Sequence, residues 1–335
     1  MKPYPLLFQP ILKEKVWGGR SLSELGKTLP PRTPIGESWE LADLPETIPD
    51  GRSIIANGPL AGTSLRQAIT DHHAPIMGGA SLSADGGFPL LVKYLDACDN
   101  LSVQVHPDHA WVDKHPRDHL KSEAWIIVKA DPGAVIYKGV KPAVAPTDFA
   151  RHIADGSVAD DLVAIPVTRG ECHYLPSGTC HALGAGIVVA EIQTPSDTTF
   201  RIFDWGRTGR ELHVEQALQC IAFGEPPQPA EPIGTPVEID GLRTTPLART
   251  SFFSLERLDT DRPVRHRIET SGMPEVWMVL TGGGLIETPE PPTVPLMPGT
   301  TTLLPAALQS ATAQLAPGSE IIRITLPSPI EGAIA

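Results

Sequence analysis

Apolar and polar side chains alternate along Leu101–His106, with Leu101 and Val103 on one side and Ser102, Gln104 and His106 on the other. Side chains of a strand point to opposite faces in turn, so the pattern predicts a strand carrying Ser, Gln and His in one row beside buried aliphatics. Such a row suits a ligand or a metal better than a core. The apolar run before it holds Lys93, eleven residues upstream of Gln104. A second alternation covers Lys121–Lys129 (KSEAWIIVK), with Lys121 and Glu123 on one face and Ala124, Ile126 and Val128 on the other. Its β-branched content also predicts a strand.

Elsewhere the pattern is less regular. Residues 1–60 read as short strands and turns. There Trp17–Gly18–Gly19 and Gly36–Glu37–Ser38–Trp39–Glu40 set aromatics beside glycine turns, which reads as packing at sheet ends. The stretch SLRQAITDHHAPIMG predicts a modest helix and a loop, with His72 and His73 solvated. Pro146–Leu162 predicts one or two surface helices, with Phe149 and Ile153 on one face. His213–Phe223 predicts another helix, with Val214, Ala217, Leu218 and Ile221 at helical spacing. His109, His115 and His119 lie in a charged, Pro-broken loop and read as solvated side chains rather than ligands. From Gly224 the composition turns Pro-rich. This predicts a first unit over 1–225, a linker over 226–240 and a second β unit over 241–335, where His266 is the only histidine.

Thirty-six prolines and thirty glycines in 335 residues imply many turns and few long helices, and so a β-rich fold. A net charge of -12 argues against nucleic-acid or anionic-membrane partners, yet a few local cations could still hold a phosphate. The four cysteines form no CxxC pair and read as free thiols of a reducing compartment. No cleavable leader or membrane-spanning run is evident, so a cytoplasmic monomer or small homo-oligomer is expected.

The candidate chemistry sharpens at Gly170–His181, GECHYLPSGTCH. Gly170 turns into a strand, Pro176 and Gly178 make a tight turn, and the next strand carries His181 inward. The spacing G-x5-P-x-G-x2-H resembles the second signature motif of the cupin superfamily, without its later Asn. A plain strand–turn–strand hairpin is the alternative. Gln104, His106, Glu123 and His181 then become four inward polar residues on three neighbouring strands. Nitrogen and oxygen donors suit Zn²⁺, with Fe²⁺, Mn²⁺ and Ni²⁺ compatible.

Four segments, FPLLVKYLDACDNLSVQVHPD, KSEAWIIV, YLPSGTCHALGAGIVVAEIQTPSDTTFRIFDW and GRELHVEQAL, together resemble the type I phosphomannose isomerases in their short bacterial form. The likeness runs from about Phe88 to Leu218 and is weaker in KEKVWGG and GESWELAD. It implies an all-β-dominated fold: a cupin jelly-roll core with short helical insertions, followed by a metal-free β domain. It also implies interconversion of mannose 6-phosphate and fructose 6-phosphate through a cis-enediol, with one Zn²⁺ per chain on Gln104, His106, Glu123 and His181. Glu191, Lys121 and Arg201 are the implied catalytic residues, and Lys93, Ser102 and Asp197 the implied substrate-binding ones. A dianionic phosphate calls for Lys and Arg, although Glu191 and Arg201 could instead form a cross-strand ion pair. Two departures stand out. Leu120 occupies the place of a histidine in larger members, and the chain lacks room for their large helical domain. Another metal-cupin enzyme, such as an Fe²⁺ dioxygenase, and a non-catalytic sugar-phosphate sensor are the rival readings.

Overall fold

Strands of the first two-thirds of the chain fall into two facing antiparallel sheets. The first has six strands, in the order Ile11–Gly19, Ile35–Leu41, Leu91–Ala97, Ile187–Gln193, Glu123–Ala130 and Cys172–Leu175. The second has five, in the order Phe200–Phe203, Val103–Val105, His181–Leu183, Val135–Val140 and Leu162–Pro166. From Leu91–Ala97 onward the chain passes from one sheet to the other at every connection but one, which makes the unit a jelly roll. The coordinates are a computed structural model and describe residues 2–116, 118–225, 230–289 and 292–328. Residues 226–229 of the expected linker therefore lie outside the described residues.

Alternation along each strand sorts side chains between the interior and the two outer faces. In the five-stranded sheet Val103, Val105, Ala182, Phe200 and Ile202 point outward, where the helices Pro146–Asp155 and Val214–Cys220 cover them with Phe149, Ala217 and Cys220. Gln104, His181 and Arg201 therefore point inward. In the six-stranded sheet Val92, Tyr94, Ala124, Ile126, Ala190 and Ile192 point outward, into a core shared with the C-terminal third. Lys93, Glu123, Trp125 and Glu191 point inward.

That C-terminal third forms a second β sandwich. Its seven-stranded sheet runs Leu6–Leu7, Thr301–Leu304, Glu275–Thr281, Ser319–Thr325, Ser254–Thr260, Leu242–Arg249 and Val237–Ile239. Its partner has four strands: Val264–Ile268, Ala311–Leu315, Gly284–Glu287 and Val294–Leu296. The back of the seven-stranded sheet gives Leu255, Val276, Met278, Leu303, Ile322 and Ile324 to the shared core, so the two sandwiches stand back to back. The first strand of the chain belongs to this distal sheet, with Leu6 opposite Leu303 and Leu7 opposite Thr302.

Several expectations meet the structure directly. The expected helix-and-loop at residues 64–78 is two short helices, Leu65–Asp71 and His73–Met77, the first capped by Ser64 Oγ accepting from Gln67 N. The polar row begins later than its alternation suggests. The strand starts at Val103, and Leu101 packs in the interior core beside Trp125 and Leu183. Among the described residues no helix is long and apolar enough to cross a membrane.

Candidate metal centre and cavity

The Gly170–His181 segment builds the first part of the site. Gly170 and Gly178 both hold positive φ, at 91° and 84°, and Thr179 N donates to Pro176 O across the turn. A Cβ on Gly178 would also stand 2.9 Å from Cys220 O. The strands flanking this turn lie in different sheets, so the segment is a crossover and no hairpin forms. His181 lands opposite Gln104, and Gln104 in turn lies opposite Arg201. The inner face of the five-stranded sheet thus carries a row Arg201–Gln104–His181. A row Trp39–Lys93–Glu191–Trp125 crosses the six-stranded sheet. Glu123 is two residues from Trp125 on the same face, a diagonal neighbour of Glu191.

The three strands expected to be neighbours are therefore split between the sheets. His181 and Gln104 come from one, Glu123 from the other, and His106 follows the Gln104 strand. Closure of the sandwich brings them together. The ligating atoms of His106, Glu123 and His181 lie within 4.8 Å of one another, and all three residues are buried. Gln104 Nε2 is 3.3 Å from His181 Nε2, and a half-turn of the amide would present Oε1 instead.

Proton placement shows what this group lacks. His106 Nδ1 donates to Thr198 O (3.1 Å) and His181 Nδ1 to Thr179 O (2.8 Å), which fixes both rings with Nε2 facing inward. His106 Nε2 is 3.4 Å from Glu123 Oε2, and His181 Nε2 is 3.2 Å from Glu123 Oε1. Burial and then Lys121 push the His106 imidazole down to about 3, against the pull of Glu123, so it is neutral near pH 7. Burial works against the Glu123 charge, but the Lys121 ammonium holds the carboxyl well below its usual range. Neither His106 Nε2 nor Glu123 Oε2 makes a hydrogen bond. A buried imidazole nitrogen and a carboxylate oxygen thus face each other without a hydrogen bond, which costs energy unless a cation sits between them. The donor set fits a divalent metal of the zinc type.

Next to this centre, and meeting it at Gln104 and Lys121, opens a cavity of about 270 Å³. Lys93, Ser102, Gln104, Lys121, Glu191, Asp197 and Arg201 all line it, so the substrate-side residues expected from the sequence share one space. Glu191 and Arg201 come from facing sheets and are not cross-strand partners. Glu191 is held by Lys93 Nζ (3.0 Å) and by Trp125 Nε1, which donates to Oε2 (3.0 Å). Lys121 Nζ lies 3.0 Å from Glu123 Oε2. Arg201 is placed differently. Its Nε donates to Ser102 Oγ (3.3 Å) and its Nη1 to Glu211 O (2.8 Å), both neutral acceptors. Arg207 and Arg210 both pair with Asp204. Among the described cations lining the cavity, Arg201 has no carboxylate within ion-pair distance.

The walls also contain Trp17, Glu37 and Trp39, expected to serve as sheet-end packing, together with two cations to which no role was given. Lys15, Trp17, Glu37 and Trp39 line the cavity, as does Arg210. Trp17 and Lys15 can lie over the next strand because position 36 is glycine, where a Cβ would come within 2.6 Å of the Trp17 ring and 2.7 Å of Lys15. The signal for Glu37 was present in IGESWEL. A carboxylate within a strand buried along its whole length needs a partner in the fold.

Comparison with known proteins gives the same picture. The family model described as "Phosphomannose isomerase type I, catalytic domain" matches residues 6–136. The chain is 38% identical over 259 residues to the mannose-6-phosphate isomerase of Streptococcus mutans, covering 75% of this chain and 77% of that protein. It is 35% identical over 261 residues to mannose-6-phosphate isomerase ManA of Bacillus subtilis, covering 76% and 79%. The crystal structure of a mannose 6-phosphate isomerase from Bacillus subtilis superimposes with a TM-score of 0.84 at 29% identity, over 96% of this chain and 99% of that one.

Proposed function

The chain belongs to the type I phosphomannose isomerase family, and on that premise we propose that it interconverts mannose 6-phosphate and fructose 6-phosphate in this cavity. A divalent metal, Zn²⁺ first, would be held by Gln104, His106, Glu123 and His181. The observation that carries the metal is the convergence of the His106, Glu123 and His181 ligating atoms within 4.8 Å, with His106 Nε2 and Glu123 Oε2 left without hydrogen bonds. The division into a catalytic unit over 1–225 and a supporting β unit over 241–335 is part of the same proposal.

The reaction must remove a weakly acidic C–H beside a carbonyl and return the proton to the adjacent carbon. The metal, when bound, supplies Lewis acidity at the sugar oxygens. Glu191 takes the proton and delivers it on the same face, through a cis-enediol. Its carboxylate is fixed for this by Lys93 on one oxygen and by the Trp125 indole on the other. Lys121 adds positive charge beside Glu123, where negative charge develops on substrate oxygen. Ser102 orients the Arg201 guanidinium, and Asp197 stands at the exposed edge of the cavity. Arg201, the cation without a carboxylate, is the natural seat for the phosphate.

The test is a coupled isomerase assay on mannose 6-phosphate before and after chelation, with Zn²⁺ returned. Turnover lost on chelation and recovered with Zn²⁺ supports the proposal. A zinc-loaded protein without turnover overturns the substrate, and turnover that survives removal of all metal overturns the metal.

Arg201→Met tests the anchor. Loss of a charge-assisted contact to phosphate is worth about 1.5–3 kcal/mol, so KM is expected to rise roughly 10- to 100-fold with kcat little changed. A fall in kcat at constant KM would move Arg201 from the phosphate to the reacting end.

A further inference from the structure

A line of alternating charge runs from the mouth of the cavity to the Glu191 carboxylate. Lys15 Nζ, on a side chain one-third exposed, lies 3.0 Å from Glu37 Oε1. Glu37 Oε2 accepts from Trp39 Nε1 (2.7 Å) and stands 3.7 Å from Lys93 Nζ. Lys93 Nζ is 3.0 Å from Glu191 Oε1 and lies over the Trp39 ring, 5.4 Å from its centroid. Glu37, Lys93 and Glu191 are all buried and sit on three adjacent strands. The register places Lys93 beside Trp39 on one side and Glu191 on the other, with Glu37 diagonal to it.

Two carboxylates therefore share one buried ammonium. Burial alone would favour the neutral lysine, but Glu191 and then Glu37 raise it, so Lys93 stays charged. Burial opposes the Glu37 charge as well, yet Lys93 and Lys15 bring its carboxyl down to about 2. An ammonium engaged on both sides has little left for an anionic substrate. Without Glu37 more of its charge would fall on Glu191, gripping that carboxylate more tightly and holding back its electron pair.

We propose that Glu37 is a positioning residue for the isomerisation. It draws Lys93 partly away from Glu191, so that the Glu191 carboxylate is oriented yet free to take a proton. This rests on the proposed role of Glu191 as the base. Lys93 acts in the same way, through Glu191 rather than on the phosphate.

The experiment is a kinetic cycle on the zinc-loaded enzyme. Glu37→Gln is expected to lower kcat about tenfold with KM within about twofold, a split that general loss of structure would not produce. Glu37→Asp, which keeps the charge, should recover most of the loss. In a Lys93→Met background, Glu37→Gln should no longer lower kcat by more than about twofold. If Glu37→Gln does not fold, Trp39→Phe, which removes the hydrogen bond that orients Glu37, should lower kcat several-fold at constant KM. Additive effects of Glu37 and Lys93, or a rise in KM that accounts for the loss, would overturn the positioning role. Glu191→Gln in the same series separates the two levels. If it abolishes turnover while the cycle is additive, only the Glu37 role fails; if it leaves kcat intact, the base assignment fails and takes this inference with it.

Discussion

Glu123→Gln is expected to abolish isomerase activity, lowering turnover at least ~10³-fold, and to leave a protein that loses zinc on dialysis. The substitution keeps shape and removes charge. His106 and His181 would still aim their Nε2 atoms inward, but the anionic donor between them would be gone. There is a second cost. Lys121 Nζ is 3.0 Å from Glu123 Oε2 and is itself buried, so the variant strands an ammonium without its counter-charge. Breaking a buried pair from one side costs about 3–5 kcal/mol, and a lower melting temperature should accompany the loss of activity. Zinc content by elemental analysis, activity and a thermal melt on one preparation check all three. Full activity in a zinc-free variant would remove Glu123 from the centre.

The second large effect is expected at Glu191→Gln. General-base assistance is worth about 10²–10⁴-fold, so kcat should fall within that range while KM stays within a few-fold. Zinc content should not change, since Glu191 is outside the His106–Glu123–His181 group. The Gln amide can still accept from Trp125 Nε1, and Lys93 keeps Glu37, so the fold has no reason to open. Exchange of substrate hydrogen with solvent, followed by NMR, gives an independent readout, because exchange requires proton removal even when isomerisation is not completed. If kcat falls less than tenfold, the proton transfer passes to Lys121.

The parts of this site legible in the sequence are those encoded locally. His181 was marked by its turn, because Gly170, Pro176 and Gly178 dictate the backbone around it whatever the rest of the chain does. Gln104, His106 and Glu123 were marked by alternation against Val103, Ala124 and Ile126. Alternation says that two residues share a face, but not which face meets which. The division of the ligands between two sheets was therefore invisible, as was the absence of a Glu191–Arg201 pair. Lys15, Glu37 and Lys93 meet only because their strands are laid side by side by the fold. Nothing near Glu37 in the chain announces its partners. The same limit applied to the C-terminal third, where short strands were evident but the back-to-back packing on the six-stranded sheet was not.

The pairing of Leu6–Leu7 with Thr302 and Leu303 bears on how the polypeptide is made. Leu6 and Leu7 cannot be hydrogen-bonded in their final place until Thr302 and Leu303 have been synthesised. Tyr4, Leu6 and Phe8, all destined for the shared core, must wait through synthesis with their apolar surface unclaimed. Docking of this segment is thus a late closure that fastens together two stretches far apart in the sequence.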